Sequence, residues 1–164
     1  MEIAPSPFIA LANTEYFRFE EDFVEENVRC IPMVVRFKMD DACIKLKLSE
    51  WSKFSVEERI ELAVKPCNTT NEIAAYAAYL VQLIKKYTRN EPSVLEPNPA
   101  PDWANTNSFP ASMQERLDEL GLNITVDQWA ALTNLQRFAI LKLCKSGHEH
   151  KNLPKALKEF DLIV

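Results

Sequence analysis

Glycine is nearly missing from this chain: of 164 residues, only Gly121 and Gly147 are glycines. Neither the P-loop nor the dinucleotide-binding fingerprint can be written with two glycines, so phosphate cradles of those kinds are excluded. No apolar run approaches the roughly 20 residues that a bilayer-spanning helix needs, so no membrane segment is expected. Lysine and arginine form no blocks and the formal net charge is -5. A nonspecific phosphate-binding surface is therefore not expected, and nucleic acid is not a predicted partner. The four cysteines, Cys30, Cys43, Cys67 and Cys144, contain no CxxC spacing and are too few for a disulfide scaffold, which predicts reduced thiols. The opening MEIAPSPFIALANTEYF has neither the basic region and sustained apolar stretch of a secretory signal nor the composition of a transit peptide. A cytoplasmic address is expected.

Apolar residues make up 47% and charged residues 26%, ordinary values for a globular chain. A chain of this length can bury about two-thirds of its unfolded surface, and a single domain over 1–164 is expected. Within it, WSKFSVEER at 51–59 has a counterpart, WAALTNLQR, at 129–137. Extended without a gap, 31–63 aligns with 109–141 with identities at Pro32/Pro110, Asp40/Asp118, Trp51/Trp129 and Arg59/Arg137. Val35/Met113, Met39/Leu117, Ile44/Leu122, Leu46/Ile124, Leu48/Val126, Phe54/Leu132 and Leu62/Ile140 are apolar in both, as a core face requires.

Each segment predicts the same order of elements. A proline opens a short helix, since its missing N–H has no intrahelical partner at the first position. Gly121 supplies a left-handed stop in the second segment, where the first has Cys43. Alternating apolar residues at Ile44, Leu46, Leu48 and at Leu122, Ile124, Val126 predict two short strands that pair with each other. Ser49 and Asp127 are the expected caps of a short helix carrying the Trp, and Ser55-x-x-Glu58 and Thr133-x-x-Gln136 are capping boxes that restart the helix. A further box, Thr69-x-x-Glu72, opens a helix with Ile73, Tyr76, Leu80, Leu83 or Ile84, and Tyr87 on one stripe. Residues 88–108, with four prolines and no periodicity, read as an extended connection. Asn152-Leu-Pro-Lys starts a last short helix. The fold class predicted is mainly α, with two units at 31–87 and 109–162 joined by a two-stranded ribbon.

Candidate chemistry is sparse. The Asp40 loop resembles an EF-hand in plan, but Ala42, Ile44 and Trp51 occupy ligand positions, which rules out calcium. Asp40 with Arg59, and Asp118 with Arg137, are opposite charges at one separation, and each pair is expected to form beside its unit's Trp. Cys144, His148 and His150 are the only clustered metal-ligand types. Their spacing matches no familiar zinc pattern, and Cys144 falls on an apolar helix face. A Cys-His nucleophile is conceivable by residue type, but no orienting third group is visible. No catalytic residue and no cofactor are assigned. The block at 16–32 interleaves Phe17, Phe19 and Phe23 with Glu20, Glu21, Asp22, Glu25 and Glu26. It reads either as aromatics packed beneath an acidic face or as an acidic, aromatic docking surface.

FRFEEDFVEENVRCIPMVVRFKMD, KLKLSEWSKFSVEER and WAALTNLQRFAILKL, followed by the Gly-His near LPKAL, resemble the conserved nitrate reductase-associated proteins over about 16–163. The resemblance implies a small cytoplasmic protein of nitrate-assimilating cyanobacteria and related photosynthetic lineages that supports assimilatory nitrate reductase. The molybdenum cofactor and iron-sulfur centre would belong to the reductase. No established reaction or catalytic residue comes with the resemblance. The partner-binding candidates are Phe17, Phe19, Glu20, Glu21, Asp22, Arg29, Arg36, Trp51, Arg59, Trp129, Arg137, Phe138 and His148. A nonenzymatic accessory factor is the leading expectation. A thiol or metal protein using Cys144, His148 and His150, or a small enzyme with an unrecognised site, are the alternatives.

Overall fold

A computed structural model of the chain describes residues 17–20, 28–145 and 150–164. These residues are mainly helical, and their contacts divide them into two compact units. The first contains Glu20 and 28–97, the second 17–19 and 98–164.

In the first unit, α1 (Met33–Ala42) follows Pro32, which is the N-cap rather than the first helical residue. Strand β1 (Ile44–Lys45), α2 (Leu48–Trp51), α3 (Val56–Val64), α4 (Thr70–Thr88) and β2 (Ser93–Val94) come next. α4 has both halves of its expected box: the Glu72 amide donates to Thr69 Oγ1 at 3.2 Å and the Thr69 amide to Glu72 Oε1 at 3.2 Å. Its stripe of Tyr76, Leu80, Leu83 and Ile84 is buried, the helix packs on α1 and α2, and Val35 of α1 and Leu62 of α3 are fully buried in the same unit. Burying each such side chain contributes roughly 1.5–3 kcal/mol.

The second unit contains a 3-10 turn at Asp102–Ala104, α5 (Ala111–Glu119), α6 (Val126–Ala131), α7 (Asn134–Lys145) and α8 (Leu153–Glu159). α7 is its centre, packing on α5, on α8 and on the 102–104 turn. Met113, Leu117, Trp129, Ile140 and Leu157 are fully buried there.

Positions 78 apart recur in the same local roles. Pro32 and Pro110 cap α1 and α5, Leu48 and Val126 begin α2 and α6, and Ser55 and Thr133 precede α3 and α7. Cys43 and Gly121 are both left-handed, with φ of 58° and 66°. After α5 the Leu122 amide donates to the Leu117 carbonyl at 2.9 Å and the Gly121 amide to Asp118 at 3.1 Å, the paired bonds of a Schellman stop. With glycine so scarce, Arg89 and Asp161 also adopt positive φ at helix ends, at a cost of about 1 kcal/mol each. Opposite mutational signs follow at the matched stops. Nothing lies within 4 Å of a Cβ built on Gly121, so Gly121→Ala carries only the backbone cost and should destabilise by about 1 kcal/mol. Cys43→Gly should stabilise by up to about 1 kcal/mol, less the entropy a glycine adds to the unfolded chain. Urea unfolding of the two variants checks both signs.

Three further expectations are corrected by the backbone. The ribbon pairs β1 with β2, Ile44 opposite Val94 and Lys45 opposite Ser93, rather than with 122–126. Leu122 is committed to the α5 stop and Thr125 to the α6 cap, which leaves too little chain between them for a strand. The short Trp helices also start earlier than Ser49 and Asp127. Thr125 and Gln128 form a full box at 3.1 and 2.9 Å, satisfying two amides at once. At Lys47, whose side chain has no acceptor, only the returning bond to Glu50 Oε1 forms, at 2.9 Å. Finally, Leu48 and Val126 do not face the core: they are 58% and 42% exposed.

Candidate functional site

The two Trp-Arg motifs show what their spacing does. Trp51 is fully buried in α2, and its indole Nε1 donates to the Val28 carbonyl at 2.9 Å. Arg59, eight residues on in the first turn of α3, reaches back: Nε donates to the Trp51 carbonyl at 3.2 Å and Nη2 to the Ser52 carbonyl at 2.9 Å. A guanidinium in a first turn opposes that helix's own dipole. Here it adds a donor to the carbonyls at the end of the preceding helix, where a cation is favoured; the Trp51 carbonyl also accepts the Phe54 amide at 3.1 Å.

The second unit repeats the arrangement more deeply. Trp129 is fully buried in α6 and donates through Nε1 to the Asn105 carbonyl at 2.8 Å, with Phe109 edge-on at 5.8 Å. Arg137 is only 5% exposed. Its Nη1 donates to the carbonyl of Leu132 and, at 3.4 Å, to that of Trp129. Nε donates to the Trp103 carbonyl at 2.7 Å and Nη2 to Asn134 Oδ1 at 2.5 Å. The guanidinium carbon lies 6.0 Å from the centroid of the Trp129 ring, which places the charge beside the Trp as expected. Burial lowers the guanidinium's pKa, but arginine stays charged in proteins.

The expected Asp118 to Arg137 ion pair does not form among the described residues. Asp118 accepts instead from Gln114 Nε2 at 2.8 Å. A fork of five N–H donors is matched here by a ring of carbonyls, which spares the desolvation of a second charge.

The remaining candidates are dispersed. Phe17, Phe19 and Glu20 are buried, and the Glu20 carboxylate accepts the Met33 amide at 2.6 Å at the start of α1. An acid there complements the helix dipole. Phe138 is buried, with Lys142 Nζ 5.3 Å from its ring centroid. Arg36 is half-buried and donates through Nε to the Ile31 carbonyl at 3.3 Å, whereas Arg29 is exposed. Glu21, Asp22 and His148 lie outside the described residues, as does the side chain of His150. All four cysteines are free thiols. Burial pushes Cys144 up to about 11, and Cys67 likewise to about 11, so both are protonated at neutral pH. Among the described residues no three His, Cys, Asp or Glu side chains gather as metal ligands would.

Two polar groupings escaped the sequence reading. Lys38 Nζ donates to the carbonyls of Ala63 and Lys65 at 2.7 and 2.8 Å, and Tyr76 Oη to that of Leu62 at 2.6 Å, closing the end of α3. Burial lowers the Lys38 pKa and holds the Tyr76 phenol well above its ordinary value. The second grouping is Glu58, whose carboxylate accepts from Tyr87 Oη at 2.6 Å, from the Ser55 amide at 2.8 Å and from Lys86 Nζ at 3.2 Å. Tyr87 on the predicted stripe was a signal for the ring but not for its hydroxyl.

Burial alone would raise the Glu58 carboxyl, but the bonds from Tyr87, Ser55 and Lys86 outweigh it and hold it at about 2. A folded pKa below the unfolded value of about 4.3 contributes stability that is complete above the unfolded value and is lost as pH falls toward 2. Between about pH 6 and about pH 3, wild type should therefore lose more of its urea midpoint than Glu58→Gln does.

Fold and site together define a mainly helical protein in which two of the three tryptophans, Trp51 and Trp129, and two arginines, Arg59 and Arg137, hold helix ends and connecting carbonyls in place. The chain belongs to the family of conserved nitrate reductase-associated proteins, whose family model matches residues 16–160. No curated protein and no solved structure matches it. Among the described residues no helix is long and apolar enough to cross a membrane.

Proposed function

We propose that this chain is a nonenzymatic accessory factor that binds assimilatory nitrate reductase and supports its assembly, maturation or stability in the cytoplasm. The observation that carries the reading is the family match over 16–160, which includes both Trp-Arg units and the aromatic segment before them. The matched geometries at positions 78 apart support treating 31–63 and 109–141 as an internal repeat. Trp51, Trp129, Arg137, Phe138, Phe17, Phe19 and Glu20 are buried. Their part in this reading is to fix the surface a partner meets rather than to touch it.

Contact falls to exposed groups. Leu48 and Val126, large apolar residues exposed at matching helix starts, are the assigned contacts together with Arg29. Exposed apolar side chains supply interface area without the desolvation cost of charges. The double variant Leu48→Ser, Val126→Ser should keep its stability within about 0.5 kcal/mol and retain less reductase in a pull-down from nitrate-grown cells. Reductase retained equally by wild type and the variant would remove these residues from the contact. Reductase retained by neither would count against the binding itself.

A further inference from the structure

Glutamate near the end of a helix is ordinarily unfavourable, because its charge adds to the negative end of the dipole. Glu159, the last residue of α8, is nevertheless fully used. Its Oε2 accepts the Arg18 amide at 3.1 Å and its Oε1 the Phe19 amide at 2.9 Å, about 140 positions earlier in the chain. Beside it, Phe160 meets both neighbouring rings, with centroids 5.0 Å from Phe17 and 6.3 Å from Phe19. Phe17 and Phe19 stack on each other at 5.4 Å, and Arg18 between them points outward, exposed.

The slot is held from below. Asp161 turns into the left-handed region at φ 58°, and the Leu162 amide closes onto the Leu157 carbonyl at 2.9 Å, so Glu159 and Phe160 are fixed by the stop of α8. One carboxylate reads two successive backbone amides while two alternate side chains fill an apolar seat and the one between is left free. Residues 18–20 form a 3-10 turn rather than an extended strand, yet main-chain bonds joined to side-chain seats are the means by which peptide-binding domains recognise a segment.

We infer that Glu159 and Phe160 form a peptide-recognition slot for an aromatic-x-aromatic segment, that residues 17–19 are its built-in occupant, and that a segment of the same pattern supplied from outside competes for it. This does not rest on reductase binding, since the ligand chemistry is read from the chain's own segment.

The test uses the full-length chain and a fluorescent, end-blocked peptide of residues 16–20. In wild type the tethered segment competes at a high effective concentration. The variant Phe17→Ala, Phe19→Ala should therefore bind the peptide at least about ten-fold more tightly than wild type does. Adding Glu159→Ala should abolish that gain, and a peptide with both phenylalanines replaced should not bind. Equal binding to wild type and to a variant with wild-type circular dichroism would overturn the inference. If the variant fails to fold, hydrogen exchange in wild type decides: excess peptide should speed exchange at the Arg18 and Phe19 amides, and unchanged rates would overturn it.

Discussion

Arg137→Ala should destabilise the protein by about 3 kcal/mol, while Arg59→Ala should cost about 1 kcal/mol. Both arginines reach back to the end of a short Trp helix, but their surroundings differ. Arg137 is buried, and its loss leaves the carbonyls of Trp103 and Leu132 without the donor they have now. The Leu132 carbonyl is buried and the Trp103 carbonyl partly so, and a buried acceptor that loses its donor costs about 1–3 kcal/mol. Arg59 is half-buried, and the Ser52 carbonyl it serves is open to water, which can replace the lost donor. Arg137→Lys should recover little, because a single ammonium cannot span acceptors arranged for a planar fork. Urea unfolding of the three variants checks the order. Equal losses at the two arginines would show that burial of the acceptors does not set the cost.

The second large effect is at Trp51. Trp51→Ala should cost about 3–5 kcal/mol, combining the lost burial with the cavity left behind. Trp51→Phe should cost roughly 1–3 kcal/mol, mostly for the Val28 carbonyl left without the indole N–H. The tilted ring contact with Phe54, at 6.2 Å, survives that substitution in part. Calorimetry of the pair separates packing from the hydrogen bond. If the two variants were equally destabilised, the ring's volume would contribute nothing and the hydrogen bond everything.

Much of this fold is legible because capping chemistry is local. Thr69-x-x-Glu72, Ser55-x-x-Glu58 and Thr133-x-x-Gln136 each place a hydroxyl and a carboxylate or amide within one helical turn, and each forms the expected bonds. The last helix likewise starts where Asn152-Leu-Pro announces it. What distant partners decide is not legible. Residues 88–108 look like a bare connection, yet β2 pairs there with β1, and the carbonyls of Trp103 and Asn105 receive Arg137 and Trp129. A backbone carbonyl has no side-chain signature, so no pattern of residue types announces it as an acceptor.

The bridge expected between Asp118 and Arg137 failed for the same reason. Asp118 and Arg137 are matched in sequence with Asp40 and Arg59, and opposite charge suggested a bridge. Asp118 instead meets a glutamine one turn away on its own helix, while Arg137 gives its donors to main-chain carbonyls and to the Asn134 side-chain oxygen. Leu48 and Val126 misled through periodicity: they continue an alternating apolar pattern, but each has become the first residue of a short helix and faces out. The candidate site was legible as a list of residue types more than as a surface, because most of those residues are internal.

The measurement that bears most directly on the accessory role is a binding titration of the purified chain against purified nitrate reductase, prepared both with and without its cofactors. Saturable binding to at least one of the two forms is expected, weakened by Leu48→Ser with Val126→Ser. Absence of binding to both forms, by a folded wild-type chain, would contradict it.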